Sequence, residues 1–121
     1  MTEPLPTPQS TLTIEHVPAD DRTATLVCRG RITMETSGAF KSEVKKLAHT
    51  HEHILADLSG VDFVDSSGLG DVLAAYVSAR SLGCNLMLVN VHPRVKDLLN
   101  ITRLASVLED GVAPTAKPSV A

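Results

Sequence analysis

In the segment Asp65-Ser66-Ser67-Gly68 a carboxylate and two hydroxyls stand in succession, residue types that can do chemistry. A serine at a helix start can mark a functional site, a hydrolase nucleophile being one candidate. The same residues also make an ordinary helix start, with Asp65 or Ser66 capping the free N–H groups of the first turn. Residue types alone leave these two readings level. A hydrolase nucleophile elbow reads Gly-x-Ser-x-Gly, and neither Ser66 nor Ser67 has glycine both two places before and two places after it. His92 precedes Pro93 and reads as a turn residue rather than a base. His49, His51 and His53 alternate, which on an extended segment would align three imidazoles for zinc or nickel. No carboxylates back them in an evident pattern, so a solvated loop is expected. Gly68-Leu69-Gly70 is too short to cradle phosphate, and no Gly-Lys-Ser/Thr follows. Asp57, Asp62 and Asp65 lack the lysine and threonine of a magnesium-dependent receiver site. The expectation is a protein that is not an enzyme, with no catalytic residue, no metal and no cofactor.

These residues must be held by an alternating series of elements. Leu12, Ile14 and Val17 show strand spacing, and Ala24–Arg29 is a β-rich run ending at Gly30, so a hairpin is expected. Thr33–Thr50 is helical by period, with Phe40, Val44, Leu47 and Ala48 on one face. His53–Leu58 reads as a short strand, followed after Gly60 by Val61–Val64. A helix should then run from Asp65 to about Leu82, with Gly83 as its C-terminal cap. Asn85–Val91 reads as a strand covered on both faces, and Pro93 as the first residue of a short helix. Ser106–Leu108 can add one more strand. The fold class is α/β: a mixed sheet of four to five strands with an N-terminal hairpin and three to four helices. Residues 1–9 read as a flexible arm, 10–110 as the domain and 111–121 as a flexible tail.

Composition narrows the function classes. The 121 residues suffice for one core. With two Phe, one Tyr and no Trp, that core is aliphatic and offers little to stack on bases. A net charge of −3 provides no basic footprint for nucleic acid or anionic lipid. Cys28 and Cys84 lie in apolar runs and read as buried small hydrophobes. Neither a signal peptide nor a membrane span is evident, so a cytoplasmic protein is expected.

The helix after Ser67 has two unlike faces. Leu69, Val72, Leu73, Tyr76 and Val77 form an apolar stripe for the sheet. Asp71, Ala74, Ala75 and Ser78 lie opposite, small and weakly polar. Such a face suits a docking partner or a neighbouring helix of the same domain, and the pattern favours neither.

Asp57-Leu58-Ser59-Gly60-Val61 followed by Asp65-Ser66-Ser67-Gly68-Leu69-Gly70, with Asn90-Val91-His92-Pro93-Arg94-Val95 further on, resembles the bacterial STAS domain, typified by anti-sigma-factor antagonists. The resemblance implies binding to an anti-sigma factor that is also a serine kinase. It implies phosphorylation of Ser67, framed by Asp65, Ser66 and Gly68, and release by a metal-dependent serine phosphatase. Thr33, Leu69, Asp71 and Ala75 are the expected partner contacts. Relatives commonly read Gly-Glu-Leu-Asp after the second strand; here Gly30-Arg31-Ile32-Thr33 replaces Glu by Arg31 and Asp by Thr33. That departure favours a rival reading: a STAS scaffold module in a signalling complex or lipid-transport machine, never phosphorylated. A homodimer is left open by the sequence.

Overall fold

The computed structural model describes residues 11–18 and 20–109. The expected arm over 1–9 and tail over 111–121 lie outside them. The chain runs β1 (Leu12–Pro18), β2 (Thr23–Ile32), α1 (Ser37–Ala48), β3 (His53–Val64), α2 (Ser66–Ser81), β4 (Asn85–Val89), α3 (Pro93–Ile101) and α4 (Ala105–Leu108). One sheet holds the strands in the order β1-β2-β3-β4. The hairpin β1–β2 is antiparallel, and β2–β3 and β3–β4 are parallel.

Register explains where the core lies. Ala24 pairs with Ile54 and Ile54 with Leu86; Leu26 pairs with Ala56 and Ala56 with Leu88. All six are buried, so one face of three strands forms an aliphatic floor. The alternate residues Thr25, Val27, Leu55, Met87 and Val89 are half-buried, the two-residue period of a pleat with unequal faces. α1 packs on β2, β3 and α2, while α2 also packs on β4. Phe40, Val44 and Leu47 of α1 meet Val72, Tyr76 and Ala79 of α2 in the same buried cluster. The sequence-predicted face of α2 is narrower than expected: Val72 and Tyr76 are buried, Leu69 and Leu73 half-buried, and Val77 is 59% exposed.

Several boundaries differ from the sequence expectation for identifiable reasons. α1 begins at Ser37, not Thr33, because the intervening residues bond to one another. Thr36 Oγ1 donates to Arg31 O at 2.7 Å and accepts from Thr33 N at 2.9 Å. Such side-chain bonds offer the backbone an alternative to helix. β3 runs unbroken through Ser59-Gly60, because β2 stays paired with it to Ile32↔Val64 across two register shifts. Ser106–Leu108 is helical rather than a strand: the turn of α4 buries Leu108, and Leu108 N donates to Leu104 O at 2.9 Å. β4 stops at Val89, ahead of Asn90 with its left-handed φ of 53°. His92 Nδ1 accepts from Arg94 N at 3.1 Å and so caps α3, with Pro93 in its first turn.

Candidate functional site

The first turn of α2 is fastened through Asp65, a residue the sequence singled out, which bonds to Ile32, Gly68 and Met34. Asp65 N donates to Ile32 O at the end of β2, 3.1 Å away. Asp65 Oδ1 accepts from Gly68 N at 2.6 Å, the side-chain cap expected of an Asp before a helix. Asp65 Oδ2 accepts from Met34 N at 3.3 Å, so one carboxylate joins the β2–α1 loop to the helix start. Gly68 is buried against Ile32, with no room for a side chain.

Ser66 and Ser67 occupy the first two helical positions and are exposed. With Asp65 committed to Gly68 and Met34, neither serine hydroxyl has a hydrogen-bond partner among the described residues. Their own N–H groups fall in the first turn, where no intrahelical acceptor exists. Ser67 is thus a free hydroxyl on a rigidly seated helix end, where added negative charge is locally tolerated.

Thr33 lies beside Asp65 in a shallow depression that Arg31, Met34 and Glu35 also line. Its hydroxyl accepts from Glu35 N at 3.3 Å, so it closes its own loop. Asp71 is half-exposed and ties two helices together. Ser37 Oγ, fully buried at the start of α1, donates to Asp71 Oδ2 at 2.5 Å, and Lys41 Nζ lies 3.5 Å from Oδ1. Ala75, expected on an open face, is 3% exposed where α2 packs on α1 and is corrected to an interhelical residue. Of the two readings of that small-residue face, the neighbouring helix takes Ala75. Leu69 is half-buried against the core. The structure therefore gathers Thr33, Asp65, Ser66, Ser67 and Gly68 at one end of the sheet, with Asp71 one turn behind.

The Ser37–Asp71 bond and the Met34–Asp65 bond each join residues 34 or 31 positions apart. No local spacing could have announced them. Ser37 holds the Asp71 carboxyl below its ordinary 3.8, and Lys41 adds to the effect. A depressed carboxylate stabilises the fold above its unfolded value, and the contribution is lost as pH falls through the folded one. Thermal unfolding of the wild type and Asp71→Asn should therefore differ most near neutrality, the wild type melting higher. The gap should close once pH falls well below 3.8. A constant gap would separate the stability from this carboxylate's charge.

The other chemical candidates do not assemble. Burial pushes the Cys28 thiol up to about 12, with Asp57 adding to it, and burial also raises Cys84. Both are free and buried, so neither offers a thiolate. His51 Nδ1 lies 3.1 Å from Leu47 O, and its ring meets His16 edge-on rather than His49 or His53. Among the described residues no three His, Cys, Asp or Glu side chains come together to hold a metal ion. No described helix is long and apolar enough to cross a membrane.

A mixed four-stranded sheet with an N-terminal hairpin, and a capped serine pair opening the helix after the third strand, define an α/β domain of STAS architecture. The chain belongs to the STAS domain family, whose model matches residues 16–120. It is 35% identical over 57 residues to the anti-sigma F factor antagonist of Paenibacillus polymyxa, covering 47% of this chain and 49% of that protein. That match therefore spans about half the relative's length. The anti-sigma factor antagonist SpoIIAA in its unphosphorylated form superposes with TM-score 0.66 at 17% identity, over 76% of this chain and 82% of that one. The phosphorylated form of the same Bacillus cell fate determinant gives 0.62 at 16%, over 77% and 86%. An anti-sigma factor antagonist from Mycobacterium paratuberculosis gives 0.68 at 22%, over 88% and 89%. At these identities the structural likeness establishes the fold.

Proposed function

We propose that this domain is an anti-sigma-factor antagonist acting in the cytoplasm as a binding protein, not an enzyme. It captures an anti-sigma factor that is also a serine kinase, and phosphorylation of Ser67 switches the capture off. The observation that carries this reading is the exposed Ser67 hydroxyl, free of hydrogen bonds among the described residues, on a helix start fastened to β2 and to the β2–α1 loop. A kinase needs an acceptor oxygen that is accessible and held still. The kinase transfers the γ-phosphoryl of ATP to Ser67 Oγ: the new O–P bond forms, the bond to ADP breaks, and a base of the kinase takes the hydroxyl proton. A metal-dependent serine phosphatase reverses the step by hydrolysis. A relative of the same fold exists in both unphosphorylated and phosphorylated forms, which supports the scheme.

A scaffold reading draws on one observation. Thr33 puts a locally bonded hydroxyl, not a carboxylate, in the depression beside Asp65. The two readings separate when the purified domain is incubated with candidate anti-sigma-factor kinases and magnesium ATP, then mapped by mass spectrometry. Antagonist function predicts one phosphate on Ser67 and none on Ser67→Ala. No phosphate with any kinase would favour the scaffold, and phosphate confined to Ser66 would overturn the assignment of the switch to Ser67.

A further inference from the structure

Beside the serine lies a surface that the switch itself does not use. Arg31 and Phe63 are paired across β2 and β3, just past a register shift, and the guanidinium carbon sits 4.8 Å from the ring centroid. Phe63 is 41% exposed and Met34, in the adjoining loop, 74%. Arg94, from the first turn of α3, lines the same depression as Phe63. Neither Arg31 nor Arg94 forms an ion pair among the described residues, a property they share with Lys45, Arg80 and Arg103. Stacking engages the face of a guanidinium and leaves its in-plane N–H fork open. That fork matches one carboxylate in bidentate fashion.

We propose that Arg31, steadied on Phe63, reads a carboxylate of the partner kinase, and that Met34 receives an apolar side chain next to it. The inference rests on the antagonist reading above and names the chemistry of its partner: an acidic side chain flanked by an apolar one. Charge sets the choice. Glu35 and Asp62 are exposed and line the depressions that hold Arg31 and Phe63. They repel a polyanion such as nucleic acid or an anionic membrane, whose capture requires a clustered basic surface. A single carboxylate seated on the Arg31 fork meets far less of that repulsion than a polyanion does. Asp65 forms no ion pair with Arg31; its oxygens accept from Gly68 N and Met34 N. The loop bearing Met34 is thereby anchored to the helix that carries Ser67, so a partner seated on the patch is positioned on the acceptor.

The test is steady-state kinetics of a kinase that phosphorylates Ser67, with the whole domain as protein substrate. Arg31→Glu should raise KM at least about tenfold, equivalent to about 1.4 kcal/mol, with kcat within about twofold. Arg31→Lys should fall between, because an ammonium lacks the planar fork. Added salt should narrow the gap between Arg31→Glu and wild type. Matching thermal melts show that the variants fold. Equal KM values for wild type and Arg31→Glu would overturn this proposal alone. So would a fall in kcat at unchanged KM, or Arg31-dependent retention on phosphatidylserine vesicles. Failure of every kinase to phosphorylate the wild type would instead remove the antagonist reading, and this inference with it.

Discussion

Ser67→Asp is expected to bind the anti-sigma-factor kinase about a hundredfold more weakly than the wild type, and the Ser67-phosphorylated domain more weakly still. The expectation follows from where the charge sits. In the free domain the added group faces the first turn of α2, whose N–H groups and dipole favour an anion. The isolated domain should therefore melt at the wild-type temperature or slightly above. Docking changes the balance. Phosphate brings about −1.5 to −2 charges to a place already flanked by Asp62 and Asp65. A partner covering Ser67 strips water from that charge and must supply its own cations or leave the charge unpaired. An unpaired buried charge costs about 3–5 kcal/mol, and about 1.4 kcal/mol corresponds to tenfold in affinity. Losses of a hundredfold to a thousandfold are thus the natural scale. Calorimetric titration of wild type, Ser67→Asp and Ser67→Ala against the kinase checks it. Ser67→Ala should bind within a few-fold of the wild type, because the free hydroxyl contributes no intramolecular bond. Affinity for Ser67→Asp equal to that for Ser67→Ala would refute a charge-operated switch.

Much of this site was legible before any coordinates, because its parts are local. An aspartate, two serines and a glycine in succession describe a helix start by backbone chemistry alone, and Asp65 caps Gly68 N as that chemistry requires. The strand–helix alternation and Pro93 at the head of α3 are similarly short-range signals. What escaped depends on contacts between distant positions. Ala75 and Ser78 lie on one side of α2, but whether a partner or α1 covers that side is a tertiary question; Ala75 went to α1. Asp71 reads from the sequence as a partner contact, yet it satisfies the buried hydroxyl of Ser37 from another helix. The extent of β3 was hidden because Ser59-Gly60 carries a turn composition. Its extended conformation is imposed by pairing with β2. The Arg31–Phe63 stack likewise arises from a parallel register that neither segment encodes alone.

Two glycines separated by one residue offer the sharpest test of how the site is built, because substituting alanine should have opposite effects. A Cβ at Gly68 would lie 2.2 Å from Ile32 O and 2.7 Å from Ile32 C, and these are backbone atoms that cannot swing aside. Ile32 itself is fully buried between sheet and helix. Relief requires the first turn of α2 to back away from β2, which strains the Asp65 N to Ile32 O bond and the Asp65 cap on Gly68 N. Overpacking of this kind costs about 1–3 kcal/mol and loss of a cap about 1 kcal/mol more. Alanine's helix preference over glycine returns about 1 kcal/mol at most. Gly68→Ala should therefore destabilise by about 1–3 kcal/mol net, a drop of roughly 4–12 °C in Tm for a domain this size. At Gly70 a Cβ would meet nothing within 4 Å, and the residue is exposed within the helix. Gly70→Ala should stabilise by about 0.4–1 kcal/mol through reduced freedom of the unfolded chain. Phosphorylation separates position from stability. At a temperature where both variants are folded, Gly68→Ala should be the poorer kinase substrate, since the turn that displaces is the one presenting Ser67. Gly68→Ala melting as high as Gly70→Ala would mean that α2 is not seated on the backbone of β2. The rigid presentation of the acceptor hydroxyl would then lose its physical basis.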